Sequence, residues 1–158
     1  LTKSLNKLIT KSSGDLIARQ DSDDISHPER ISIQALEIEK NKLDFCSSRA
    51  IIKGSNRKIP GFSFFLPQKF TIKYKNPFIH GTLLIKKDVL HAVGNYDENF
   101  YYAQDYKLMS DLLNQNFKYS LINKPLYELN TKNNISTKKL QEQNYYAECV
   151  RKKIIPKS

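Results

Sequence analysis

The sequence predicts an α/β domain with a mixed sheet flanked by helices. Three observations lead there. Apolar residues at helical spacing alternate along the chain with short β-branched or aromatic runs, no internal repeat or low-complexity linker interrupts them, and 158 residues suit a single core.

Taken in order, Leu1, Leu5, Leu8 and Ile9 share one face of a first helix, with Gly14 placed as its C-terminal cap. Leu16, Ile17 and Ala18 then form a short buried strand that ends in Asp21, Asp23 and Asp24. Ser26 and Glu29 read as a capping box, with Pro28 in the first turn of a helix reaching about Lys40. The run LDFCSSRAIIKG is strand-like, and KIPGFSFFLPQKF is an irregular aromatic segment broken by Pro60, Gly61 and Pro67. A strand over Thr82 to Ile85 leads into a short helix capped by Gly94. Leu108, Met109, Leu112 and Leu113 line one face of the next helix, and Phe117, Tyr119 and Leu121 alternate with polar neighbours as a strand. A last helix, about Lys138 to Lys153, reads as peripheral, so the chain divides into a main unit over 1–136 and a basic helix and tail over 137–158.

Composition narrows the class. With 39% apolar and 27% charged residues the chain is globular, and no apolar run approaches the roughly 18 to 20 residues of a membrane span. The expected location is cytoplasmic, with a peripheral position at the inner face of the membrane as its variant. Cys46 and Cys149 are too few and too far apart for a disulfide framework or a zinc site. The chain begins at Leu1 and its only methionine is Met109, so a longer translation product is expected. A formal charge of +10 favours polyanionic partners, and the densest basic segment is the tail RKKIIPKS, either a solvated end or a membrane-surface contact.

Against that positive background, the three acids at 21, 23 and 24 need compensation. Unit charges about 4 Å apart repel by roughly 1 kcal/mol in water and nearer 4 at a partly buried site. Three arrangements would relieve them: a solvated turn whose aspartates cap the next helix, a hard-cation site, or an ion cluster with Arg19 and Arg30. The position after a strand suits a ligand, because α/β sheets collect ligands beyond the carboxyl ends of their strands. Mg²⁺ or Mn²⁺ needs only one or two carboxylates when substrate phosphates complete its shell. The glycine and final glutamate of an EF-hand are absent.

The segment GDLIARQDSDDISHPERISIQ resembles the part of family 2 glycosyltransferases in which a strand ends in a D-x-D motif and a helix opens with Pro-x-Arg. Further on, GNYDENFYYAQDYKLMSDLL resembles the family's G-G-Y-D-E-x-F segment and the Glu-Asp pair that starts the next helix, and NPFIHGTLLIKKDVL between them also fits. The resemblance covers roughly Leu1 to Ser136 and implies a GT-A-like, Rossmann-like sheet lacking its first nucleotide-binding strands. It implies transfer of a sugar, with inversion, from a nucleotide-diphosphate sugar to a hydroxyl of a glycan or lipid-linked glycan, in bacterial surface glycan (LPS or capsule) biosynthesis.

On that resemblance, Asp21 and Asp23 would hold Mn²⁺ or Mg²⁺ on the donor diphosphate, with Asp21 also near the ribose and Asp24 adding charge. Asp105 would be the general base that deprotonates the acceptor, although the same residue would also serve as a plain helix N-cap. Gln104 departs from the family's glutamate. Asn6 would lie near the nucleotide or be an exposed helix residue. His80 would meet a substrate or be a structural, hydrogen-bonded histidine. Asp97 and Glu98 would face the acceptor or form a solvated turn, and Tyr96, Phe100, Tyr101 and Tyr102 would stack on sugars or simply pack.

Two other classes and an inactive variant compete. A nucleic-acid-binding module would want its Lys and Arg clustered on one face with aromatics, and nucleic acid is not expected as a partner. A glycoside hydrolase would use Asp21 and Asp105 about 5 to 10 Å apart across a sugar. A catalytically inactive glycosyltransferase fragment would retain the fold alone.

Overall fold

The computed structural model describes residues 1–131 and 139–157. The boundary expected between 136 and 137 lies outside the described residues. Helix α1 (Thr2–Lys11) leads to β1 (Leu16–Ala18) and, across the acidic loop, to β2 (Ile25–Ser26) and α2 (Arg30–Asn41). Strands β3 (Phe45–Ile52) and β4 (Lys58–Ile59) follow, then a short helix α3 (Gln68–Thr71), β5 (Leu84–Lys86) and α4 (Lys87–Val93). The chain continues through α5 (Gln104–Asn114), β6 (Tyr119–Leu129) and α6 (Leu140–Lys152).

The sheet runs β1-β5-β3-β6-β2, with β4 paired to the far end of β3. Among the described strands only β3 and β6 are parallel; β1 on β5, β5 on β3, β2 on β6 and β4 on β3 are antiparallel. This is the mixed sheet expected. Its centre is apolar because β3 and β6 contribute Phe45 and Tyr119, stacked at 5.5 Å, and Phe78 closes over both edge-on. From α5, Leu108, Met109, Leu112 and Leu113 pack into the same core, as their helical spacing requires. Cys149 and Val150 of α6 join them, so the inner face of that helix is part of the core and not peripheral. Both cysteines are buried and free, and burial pushes the Cys46 thiol up to about 12.

Local expectations fail where tertiary partners override them. α1 ends at Ser12 in extended backbone and not in a left-handed glycine, because Ser12 returns its own N–H and hydroxyl to the last turn. β1 is half-buried, since β5 covers one of its edges and no strand among the described residues covers the other. Ser26 does not cap α2: it pairs with Tyr127 in β2, and its hydroxyl accepts from Arg30 Nε at 2.7 Å. Residues His80–Thr82 form a 3-10 turn ahead of β5, which holds Thr82 against Ser48 in the sheet centre. β6 runs beyond the predicted strand through Pro125, tolerated because the β3 pairing slips in register there. Gly94 does cap α4, with φ +92°.

Candidate functional site

Where β1 ends, the acidic loop is held by residues far along the chain. The backbone N–H of Asp21 donates to the Tyr127 hydroxyl at 3.0 Å. Tyr127 in turn hydrogen-bonds the Asp24 carboxylate, which also accepts from the Asn130 N–H at 2.7 Å. Burial raises the Asp24 pKa, Asp21 and Asp23 raise it further, and those two hydrogen bonds oppose them. Asp21 forms an ion pair with Arg19. Asp23 is exposed and has no hydrogen bond or ion pair among the described residues. The crowding is thus relieved separately for each acid, by a guanidinium, by donors from β6, and by solvent.

None of these aspartates caps α2, whose N-cap is Glu29 without a side-chain bond. Arg30 bonds no aspartate either. Its buried guanidinium donates to Gly81 O at 3.0 Å and Arg19 O at 3.1 Å, and lies over the Tyr127 ring at 5.3 Å. Gly81 is required here, because a Cβ would stand 2.5 Å from the Tyr127 hydroxyl. Sequence periodicity gave no hint of Tyr127, which lies 106 residues from Asp21.

The second half of the site comes from the turns before β5 and α5. His80 Nε2 and the Tyr96 hydroxyl are 2.7 Å apart. Burial lowers the His80 pKa and Arg19 lowers it further, while Asp105 and Asp21 act the other way. Tyr96 is raised by burial and feels the same three charges. Arg19, Asp21 and Asp105 therefore all act on one His80–Tyr96 pair, although they are far apart in sequence. Asp105 lies in the first turn of α5, and its Oδ2 accepts from Asn76 Nδ2 at 2.9 Å. It is not the N-cap. That position is Ala103, held at φ +52°, a left-handed conformation costing roughly 1 to 2 kcal/mol in a residue with a Cβ. Such strain concentrates at functional sites.

Asn6 sits across from this pair and is fully engaged. Its amide donates to Tyr96 O at 2.9 Å and Glu98 Oε1 at 3.1 Å, and accepts from the Tyr96 N–H at 3.1 Å. With Thr2, which donates to Phe100 O at 3.0 Å, it stitches α1 to the 96–100 segment. Asp97 Oδ1 accepts from the backbone and side chain of Asn99, a local turn, and Oδ2 faces Lys107 at 3.9 Å. Asn6, Asp97 and Glu98 border a polar hollow of about 430 Å³, apart from Asp21 and Asp105. Tyr96 and Phe100 are core packing, whereas Tyr101 is exposed.

Arg19 is the residue that sequence reading undervalued. It borders a hollow of about 390 Å³ along the open edge of β1, otherwise mostly apolar, with Gln20 and Tyr96 at the polar end. Its Nε is buried without a hydrogen-bond partner among the described residues. A buried donor on a guanidinium suits an anionic oxygen. Among the described residues no three His, Cys, Asp or Glu side chains group as a ready-made metal site. The donor set fits a hard cation only in part: Asp23 is open, and Asp21 is shared with Arg19.

This sheet, with its acid loop and facing turn, is of the GT-A-like class. It superposes on solved structures of TarS from S. aureus: residues 1–349 in complex with UDP match with a TM-score of 0.69 at 19% identity, over 95% of this chain and 43% of that one. The same protein in complex with UDP-GlcNAc gives 0.66 at 17% identity, over 82% of this chain and 38% of that one. The chain belongs to glycosyl transferase family 2, whose sequence pattern matches residues 1–96. Asp105 lies beyond that match. The O-antigen biosynthesis glycosyltransferase WbnJ of Escherichia coli is 32% identical over 73% of this chain, and the amylovoran biosynthesis glycosyltransferase AmsE of Erwinia amylovora is 31% identical over 68%. The chain spans 46% and 42% of those relatives, so it corresponds to less than half of each. No helix among the described residues is long and apolar enough to cross a membrane.

Proposed function

We propose that this chain carries the catalytic half of a transferase that moves a sugar, with inversion, from a nucleoside-diphosphate sugar to a hydroxyl of a glycan or lipid-linked glycan in bacterial polysaccharide assembly. The observation that carries the reading is electrostatic. His80 Nε2 lies 2.7 Å from the Tyr96 hydroxyl, and the charges of Arg19, Asp21 and Asp105 all act on that pair, which supports reading the acid loop as the diphosphate end and Asp105 as the proton-accepting end. The relatives' names support polysaccharide biosynthesis, and the structures holding UDP and UDP-GlcNAc support a nucleotide-sugar donor.

In this reading Asp105 accepts the proton of the attacking hydroxyl, and Asn76 fixes which carboxylate oxygen is free to do so. Arg19, with its spare Nε, binds a phosphate oxygen. Asp23 and Asp21 would hold Mn²⁺ or Mg²⁺, which when bound offsets charge on the departing diphosphate. Asp24 holds the loop in shape through its bonds to Tyr127 and Asn130 and adds negative charge beside Asp21 and Asp23. Asn6 acts as a brace for Tyr96, and His80, kept neutral, holds the Tyr96 hydroxyl.

The test is thermal: in a chain extended to its relatives' length, UDP should raise the melting temperature only with Mn²⁺ or Mg²⁺ present, and Asp23→Ala should abolish the effect. UDP stabilisation that ignores the cation would remove the metal from the reading. Salt-sensitive stabilisation by DNA in its place would overturn the reading altogether.

A further inference from the structure

A second surface is independent of the acid loop. Residues 45–87 carry nine Lys or Arg and no Asp or Glu. Within that span, α3 and the turn after it bury Gln68, Thr71 and Ile72 and turn Lys69, Phe70, Lys73 and Tyr74 outward. Phe70 is 55% exposed and Tyr74 is 63% exposed, with their rings 5.2 Å apart. Just upstream, Phe62 at 79% and Phe65 at 67% are more exposed still. Solvent-facing aromatics in such number are costly in water and mark a contact surface.

The tail expected to be the basic anchor joins this face at its edge, where Arg151 Nη1 approaches Tyr74 O at 3.5 Å. The face is held in place from beneath by Tyr106, whose hydroxyl donates to Ile72 O at 2.6 Å.

We propose that the outer face of α3 and its following turn docks on an anionic lipid bilayer. Phe70 and Tyr74 would enter the headgroup boundary, while Lys69, Lys73 and Lys75 would meet lipid phosphates. Aromatic rings prefer this wet–apolar boundary, and each lysine near an anionic surface adds about 1 kcal/mol. Residues 62–76, which make this face, carry Lys69, Lys73 and Lys75 and no Asp or Glu, so the segment is complementary to negative charge. Docking brings the cleft with it, since Asn76, one residue past Lys75, holds Asp105. The proposal concerns the surface and holds whether or not the cleft transfers sugar.

The chain contains no tryptophan, so Phe70→Trp and Tyr74→Trp each give a single reporter. With the full 158-residue chain, both emissions should shift to the blue on phosphatidylcholine vesicles containing about 30% phosphatidylglycerol and stay unchanged on pure phosphatidylcholine. In vesicle flotation, Lys69→Glu with Lys73→Glu should lower the bound fraction at least about tenfold. If that variant does not fold, the reporters decide alone. The proposal is overturned by a shift with soluble polyphosphate but not with vesicles, or by a shift that grows with protein concentration in the absence of lipid. A shift confined to an Ile155→Trp reporter would overturn it in favour of the tail.

Discussion

Tyr127 joins the acid loop to β6 through one atom: its hydroxyl accepts the Asp21 N–H at 3.0 Å while bonding the Asp24 carboxylate. Tyr127→Phe keeps the ring beneath Arg30 but strands the Asp21 backbone donor and removes a hydrogen-bond donor to the Asp24 carboxylate. A lost bond of this kind costs about 1 to 3 kcal/mol when a buried partner is left unmade. We expect a lower melting temperature and, with UDP and Mn²⁺, a smaller ligand shift than the native chain gives.

Gly81 tests the same corner sterically. A Cβ there would meet Tyr127 carbon atoms at 2.7 and 2.8 Å, and Tyr127 cannot withdraw without releasing Asp21. Gly81→Ala should destabilise by about 1 to 3 kcal/mol, the usual cost of overpacking. Chemical denaturation read against Gly54→Ala, a surface turn with nothing within 4 Å but a φ of +77°, separates crowding from backbone strain.

His80 predicts a pH slope. Its folded pKa is below the usual 6.5, so between the folded value and 6.5 the unfolded chain binds more protons than the native one. Stability therefore rises with pH across that window and is fully gained above 6.5. The charges acting on His80 are Arg19 on one side and Asp105 and Asp21 on the other, with Tyr96 hydrogen-bonded to its ring. His80→Gln should flatten the slope of melting temperature against pH. An unchanged slope would assign it to other groups.

Asp105→Asn isolates proton transfer. In a chain extended to its relatives' length, UDP binding should be nearly unchanged while sugar transfer falls by about 10² or more. Asn76→Ala should lower transfer less, because it frees the carboxylate without removing it. Equal loss of binding and transfer in Asp105→Asn would make the residue structural.

What the sequence revealed follows from range. The face of α5 repeats every three to four residues, so Leu108, Met109 and Leu112 could be placed in the core from spacing alone. At α1 the same spacing picks out Leu1 and Leu8, which are exposed, and of its apolar residues only Ile9 is fully buried. The glycine turn at Gly94 is also local. Ser26 misled because its capping pattern is written in four residues, whereas the β2 pairing with Tyr127 that claims it depends on a partner 101 positions away. The acids were visible, and Arg19 was among the partners expected for them, but that it pairs with Asp21 alone depends on side-chain rotamer, and Asn130 and Tyr127 arrive only with β6. Asn6 stood out only through the family resemblance, and its contacts with Tyr96 depend on a segment 90 residues away.

Arg30 has a further consequence. Its guanidinium is 2% exposed and bridges the carbonyls of Arg19 and Gly81. Separating those two strand ends would abandon a desolvated cation, so they must travel together. Any closure around a bound molecule is therefore left to segments this clasp does not reach.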